Sequence, residues 1–249
     1  MKKRKSKDEL HIHRLNAIND LNAYIAALID SSNPENNSKA DKLCYWLTNW
    51  VTFLEFETAF SPKSLRRYKR GEIIKVHLGF NVGSEEGGLH YAVVIDKHNA
   101  KSSPVVTVVP LTSVKTDTDI SNLKSGSVFL GNELFTNLSQ KVSTTDKHLK
   151  SEIESLLSTI KSNKDISSNE ELQFRLRQAE QEMVLLNRMR NETNKMKKGS
   201  IALVNQITTI SKIRIYDPKT DHDILSNIKL SNEKLDLLDQ EILKRYINS

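Results

Sequence analysis

Apolar residues recur along the chain in distinct rhythms, and each change of rhythm marks a change of element. Leu15, Ile18, Leu21, Ile25 and Leu28 repeat at helical spacing and predict an amphipathic helix over about 8–30. The polar run SSNPENNS (31–38) closes it. Leu43, Leu47, Trp50, Val51 and Leu54 then share one face of a second helix, about 38–60, which SPKS (61–64) ends. Its stripe, with Trp46 and Trp50 four residues apart, reads as packing against a partner surface rather than as a ligand contact.

From Gly71 the period becomes two. In EIIKVHLGF (72–80), Ile74, Val76 and Leu78 alternate with polar residues, as a half-buried strand requires. YAVVI (91–95) and VVTVVPLT (105–112) are β-branched runs suited to strands buried on both faces, and SVFLGNELF (127–135) is a weaker fourth. SIALVNQITTIS (200–211) and KIRIYD (212–217) resume the β pattern. Short strands with turns between them predict a small, strongly bent sheet or barrel.

The gap is helical. Leu149, Ile153, Leu156 and Ile160 step by four, three and four, and Leu172, Leu176, Ala179, Met183 and Leu186 do the same. SNKDISSNEE lies between the two halves, and Ser168 with Glu171 forms a capping box for the second. The reading is an antiparallel helical hairpin over about 146–194 that closes on itself. A last helix, about 231–247, carries Leu235, Leu238, Ile242 and Tyr246 on one face, Glu233 in its first turn and Lys244 and Arg245 in its last. The fold class is α+β. The expected divisions are an N-terminal helical extension (1–62), a β-domain in two parts (66–140 and 199–249) and an inserted hairpin (141–198).

Charge adds a partner class. The 249 residues carry a formal charge of +6, clustered in KKRK (2–5), RRYKR (66–70) and KMKK (195–198). Such clusters suit a polyanion, RNA or DNA, although lysine runs equally form solvated surface. The one cysteine, Cys44, rules out an internal disulfide and a multi-cysteine metal site, and its apolar setting predicts a buried structural thiol. His11 and His13 lack the spacing and acids of a metal site. No stretch reaches membrane-spanning length and no signal-type run follows the basic start, so the expectation is a soluble, cytoplasmic protein without a cofactor.

Five of the eight glycines (71, 79, 83, 87 and 88) fall around one connection between strands. Glycine concentrates where backbone takes positive φ or approaches something closely. The candidates are a mobile loop that closes on an extended ligand and a plain glycine-rich turn.

The motifs decide between them by resemblance. KRGEIIKVHLGFNVGSEEGGLHYAVVIDKHN (69–99), VVTVVPLTS (105–113) and SIALVNQITTISKIRI (200–215) resemble the MazF/PemK (CcdB-like) toxin family. There, an R-G-(D/E)-(I/V) strand precedes G-S-E-Q-x-G-x-R-P, a strand ending P-x-T or A-x-T, and a late (D/E)-Q-(I/V)-x-(T/S)-I strand. The resemblance implies an SH3-like barrel that dimerises, cuts single-stranded RNA at short sequences without a metal, and is restrained by a cognate antitoxin. The cut uses the adjacent 2′-hydroxyl as nucleophile. It therefore needs a base, an acid for the departing 5′-oxygen, and donors for the charged phosphorane.

Carried over residue by residue, the family threonine matches Thr112, with Ser113 beside it. The loop serine and acid match Ser84 and Glu85, Gly87 and Gly88 follow in the loop, and Gln206 matches the late glutamine. Glu86 replaces the usual glutamine. The family arginine is missing: His90 stands in its place, and Tyr91 replaces the proline. Histidine offers a titratable proton where arginine offers a permanent fork of charge. In one reading His90 takes over proton transfer, with Thr112 and Ser84 completing the catalytic set and Arg214 or Arg70 supplying fixed charge. In the other, catalysis is lost and the fold persists as a regulator that binds nucleic acid or protein. A third possibility is another macromolecular target such as a topoisomerase. Tyr91 suits stacking on an unpaired base or core packing equally. His77 reads as outward-facing, His98 as a turn residue, and His148 and His222 as surface positions.

Overall fold

The computed structural model describes residues 5–162 and 170–247. The chain forms two compact units, Met1–Ala59 with Gly79–Gly83, and Phe60–Leu78 with Ser84–Ser249. The Ser168 cap and most of the KKRK cluster lie outside the described residues.

The first unit contains two helices, α1 (Lys7–Ile29) and α2 (Pro34–Glu57). Ser6 and Glu9 form a capping box at the start of α1. Asn33 caps α2 and Pro34 occupies its first turn, where a missing N–H costs nothing. The polar run read as the end of the first helix is therefore also the start of the second, four residues earlier than 38. Leu28, Ala40 and Leu43 are buried in the helices, and the Lys39 ammonium lies 5.4 Å from the centre of the Tyr24 ring. Leu15, Ile18, Trp50, Val51 and Leu54 stay exposed. Cys44 is exposed as well, contrary to the buried thiol expected from its apolar neighbours.

The second unit is built on a seven-stranded antiparallel sheet: β1 (Ile73–His77), β2 (Leu89–Val94), β3 (Val105–Ser113), β4 (Ser127–Gly131), β5 (Ser200–Leu203), β6 (Thr208–Ser211) and β7 (Ile215–Asp217). The order is β4-β5-β3-β2-β1-β7, with β6 also paired to β3. Strand β3 changes partner along its length: 105–108 pair with β6, and 111–113 pair with β5. Pro110 lies between the two ladders, where its lack of an N–H suits a bend in the sheet. Both faces are packed. Ile74, Val76, Ala92, Val94, Val106, Val108, Ile210 and Ile215 form one core, and Ile73, Val93, Val109 and Leu111 belong to the other. The β-branched runs are thus buried on both sides, as their composition predicts.

Two segments read as continuous strand are interrupted. Residues 204–206 form a 3₁₀ turn between β5 and β6, and 212–214 form another before β7. The weak fourth strand also ends early: α3 (Glu133–Ser162) begins within SVFLGNELF, well before 146. Its Leu134 and Leu138 enter the sheet core with Leu235 and Leu238 of α5 (Asn232–Tyr246).

Helix α3 and α4 (Glu170–Lys195) form the antiparallel hairpin. Leu149 and Leu156 pack with Leu172, Ala179, Leu186 and Met189. Arg190–Asp146 (2.6 Å) and Arg175–Glu152 (2.8 Å) cross between the helices in the same sense. Ile153 and Met183 of the heptad pattern are exposed, because a two-helix seam covers less of each helix than a full bundle does.

Gly71 shows where glycine is required. Its φ is +83°, and an added Cβ would meet Leu235 Cδ1 at 2.8 Å and Lys229 Cε at 2.9 Å. Gly71→Ala is expected to lower unfolding stability by more than about 1 kcal/mol in urea titration, through backbone strain plus displacement of α5.

Candidate functional site

The break between β5 and β6 lets Gln206 leave the sheet and hold the connection that precedes β2. Its Nε2 donates to the Ser84 carbonyl at 3.0 Å, and its Oε1 accepts from the Glu86 N–H at 2.6 Å. One amide side chain thereby fixes both sides of Glu85. Downstream, Gly88 has φ +83°, and its carbonyl accepts from Leu78 N at 2.7 Å. This pairing starts the β1–β2 ladder and delivers His90 opposite Val76.

His90 is the centre of the arrangement. Its Nε2 lies 3.0 Å from Glu86 Oε1, and its Nδ1 lies 3.3 Å from the Leu111 carbonyl oxygen. Both ring nitrogens face acceptors, which a neutral imidazole cannot satisfy because one nitrogen carries no proton. The Glu86 hydrogen bond therefore raises the His90 pKa above its usual value. Burial works against this, and the Glu86 charge and the Leu111 and Gly87 carbonyls reinforce it. Continued two residues beyond Ala92↔Pro110, the β2–β3 register brings His90 level with Thr112.

The sign of the pH dependence follows. His90 is protonated in the folded state to higher pH than in the unfolded chain. Its contribution to stability is full below the ordinary value of about 6.5 and is lost as pH rises through the folded value. Glu86→Gln is expected to return the His90 titration, followed by its imidazole NMR signals, towards or below the ordinary value. The stability difference between wild type and variant is expected to vanish at alkaline pH.

Thr112 and Ser113 line a cleft of about 270 Å³ together with Lys75, Tyr91, Glu192, Lys195, Lys197 and Ser200. Glu192, at the end of α4, accepts from both Lys75 Nζ and the Tyr91 hydroxyl. Burial raises its pKa, but these two bonds and the lysine charges outweigh that and hold it below the usual range. Burial and the Glu192 contact push Tyr91 up. Its ring lies 5.3 Å from the Lys75 ammonium, so Tyr91 is a partly buried wall residue.

Other anticipated residues are placed elsewhere or differently. Arg70 is committed to Asp239 of α5 and to the Ile95 carbonyl, beyond the end of β2 remote from His90. Its charge is thus spent on α5. Arg214 Nε donates to the His77 carbonyl at 2.7 Å, and burial lowers its pKa. It stands beside β1, on which His90 pairs. Ser84 enters through its carbonyl, and Glu85 is exposed. His77 is buried, not outward-facing; burial, then the Arg214 charge, lower its pKa. His148 and His222 are exposed, as expected, and His98, read as a turn residue, lies exposed in a bend.

The sequence reading set Glu86 aside as a substitution and passed over Glu192, Lys195 and Lys197 as site residues. The available signal for Glu86 was its spacing: two of the three departures from the family pattern, at 86 and 90, are partners in one ion pair. Glu192 carried none, because its neighbours are distant in sequence. Among the described residues, no group of three or more His, Cys, Asp or Glu could hold a metal ion, and no helix is long and apolar enough to cross a membrane.

Residues 69–161, less than half of the chain, match the family of PemK-like, MazF-like toxins of type II toxin–antitoxin systems. No curated protein matches the chain at a significant level. The matched span runs from Lys69, just before β1, through β1–β4 and most of α3. The late strands β5 and β6 lie beyond it yet pair directly with β3.

Proposed function

From a chain that carries a PemK/MazF-type toxin segment, we propose an endoribonuclease that cleaves single-stranded RNA selectively by sequence and restrains growth in the cytoplasm. Its partners are an RNA substrate and a cognate antitoxin, and it acts as a homodimer. The observation that carries this reading is the Glu86–His90 pair at 3.0 Å, an acid and a base at adjoining positions of one loop and strand.

The chemistry runs through side chains alone. Substrate opens the ion pair. The Glu86 carboxylate accepts the 2′-hydroxyl proton as that oxygen attacks phosphorus. The P–O5′ bond breaks, and His90, already protonated in the resting pair with Glu86, gives its proton to the departing oxygen. The products are a 2′,3′-cyclic phosphate and a 5′-hydroxyl. Thr112 donates to a non-bridging oxygen, and Arg214 supplies fixed charge near β1. Raising the histidine pKa favours the acid role over the base role, since the protonated form is the stored form.

Incubation of the purified protein with a mixed RNA pool in the presence of a chelator tests the proposal. Discrete fragments ending in cyclic phosphate, with a common sequence at the break, are the expected result. Intact RNA bound by the protein would instead assign it to the regulators that keep the fold without the reaction.

A further inference from the structure

Lys195 and Lys197 stand at the root of the helical hairpin, outside the span that matches the toxin family. Both are exposed, and both line the cleft that contains Thr112 and Ser113. The other charged groups there are Lys75 and Glu192, and these two are paired with each other. The cleft therefore keeps two lysine charges not offset by its own carboxylate, beside the side chains of Thr112, Ser113 and Ser200.

Helix electrostatics explains only part of this. A cation in the last turn of a helix offsets the negative end of its dipole, which suits Lys195. Lys197 lies past the end of α4 and has no such role. Lysine is a compact, strongly hydrated point charge that binds phosphate oxygens, and neighbouring hydroxyls can donate to the same group.

We propose that this cleft is a subsite for the phosphate backbone of single-stranded RNA, in which the hairpin supplies Lys195 and Lys197 and the sheet supplies Thr112 and Ser113. Glu192 is a positioning residue: by holding Lys75 and the Tyr91 hydroxyl, it fixes the wall against which the strand lies. The inference rests on the reading of the chain as an RNA-acting protein and extends it. A strand seated here passes Thr112, the residue after the carbonyl that holds His90, on its way to the cleavage site. The insertion thereby becomes part of the substrate surface.

The test is equilibrium binding of a short mixed-sequence 2′-O-methyl RNA, which cannot be cut because its nucleophile is blocked, over a range of salt. Each lost phosphate contact to a single strand reduces the slope of log K against log salt by about 0.7, so Lys195→Ala/Lys197→Ala is expected to reduce it by about 1.4. The same relation gives an affinity loss on the order of twentyfold at ~0.1 M salt. Lys195→Arg/Lys197→Arg retains the wild-type slope. Lys97→Ala/Lys101→Ala, an exposed pair in the β2–β3 connection, removes the same net charge and leaves the slope unchanged.

An unchanged slope in the Lys195/Lys197 variant overturns the subsite and leaves the proposed ribonuclease standing. Equal losses in both alanine pairs overturn it in favour of net charge alone. Tighter binding of polyglutamate than of RNA, lost in the same variant, overturns it in favour of an acidic protein partner. The expected slope change in a protein that cuts no RNA supports the subsite and sinks the nuclease reading instead. A wild type that binds no oligonucleotide overturns the subsite outright.

Discussion

His90→Ala is expected to slow RNA cleavage by about 10²–10⁴-fold, the usual contribution of a positioned acid or base, while binding of an uncleavable RNA is retained. The size follows from the geometry. The imidazole faces both a carboxylate, at 3.0 Å, and a carbonyl of β3, at 3.3 Å. Removing it takes away the stored proton and leaves Glu86 without its ring partner. His90→Arg restores the family's residue and a permanent charge, but with no transferable proton near neutrality. It discriminates between the two readings of this position. Rescue by arginine would mean that charge, not proton transfer, is what the site needs. For wild type, the rate falls as pH rises through the raised His90 value, because the acid form is being lost; Glu86→Gln also removes the proposed base, so its residual rate is lower at every pH and its fall moves to lower pH. A variant lacking the imidazole that cuts at the wild-type rate removes His90 from the mechanism.

Leu138→Ala is expected to cost about 2–5 kcal/mol of unfolding stability, measured by urea or thermal denaturation. The residue belongs to α3, yet it is fully buried among Val93 and Val109 of the sheet and Leu235 and Leu238 of α5. Truncation opens a cavity in the sheet core, not in the hairpin. Nearby, Lys141 Nζ donates to the carbonyls of Asp223, Ile224 and Ser226, so the same helix also caps a loop of the sheet domain. Ile153→Ala, at an exposed heptad position farther along α3, is expected to stay within about 0.5 kcal/mol of wild type. A small effect at Leu138 would mean that the hairpin is an appendage after all.

Much of the fold was legible because its elements announce themselves locally. The alternation of Ile74, Val76 and Leu78, the β-branched runs at 91–95 and 105–112, and the heptad steps at 149–160 and 172–186 each express a period that belongs to one kind of secondary structure. Where the reading failed, a local pattern met a non-local demand. The apolar run 127–135 continues smoothly as a strand, yet the chain turns into α3 at Glu133 because Leu134 and Leu138 fill a core made by strands and helices distant in sequence. His77 is polar in an alternating strand, yet it is buried.

For the site, the chemistry within reach is written in the residues alone: a histidine and an extra acid where the resembling family has arginine and glutamine, a threonine after Pro110–Leu111, and a lysine cluster at 195–198. Those are covalent facts; that Glu86 lies against His90 came from the fold, where Gln206 holds the loop. Which charges are free to act depends on the folded contacts. The fold spent Arg70 on Asp239, bound Glu192 to Lys75 and Tyr91, and brought Lys195 and Lys197 to a cleft beside Thr112. A charge is defined by what surrounds it, and here Arg70 is more than a hundred residues from Asp239, as Lys75 is from Glu192.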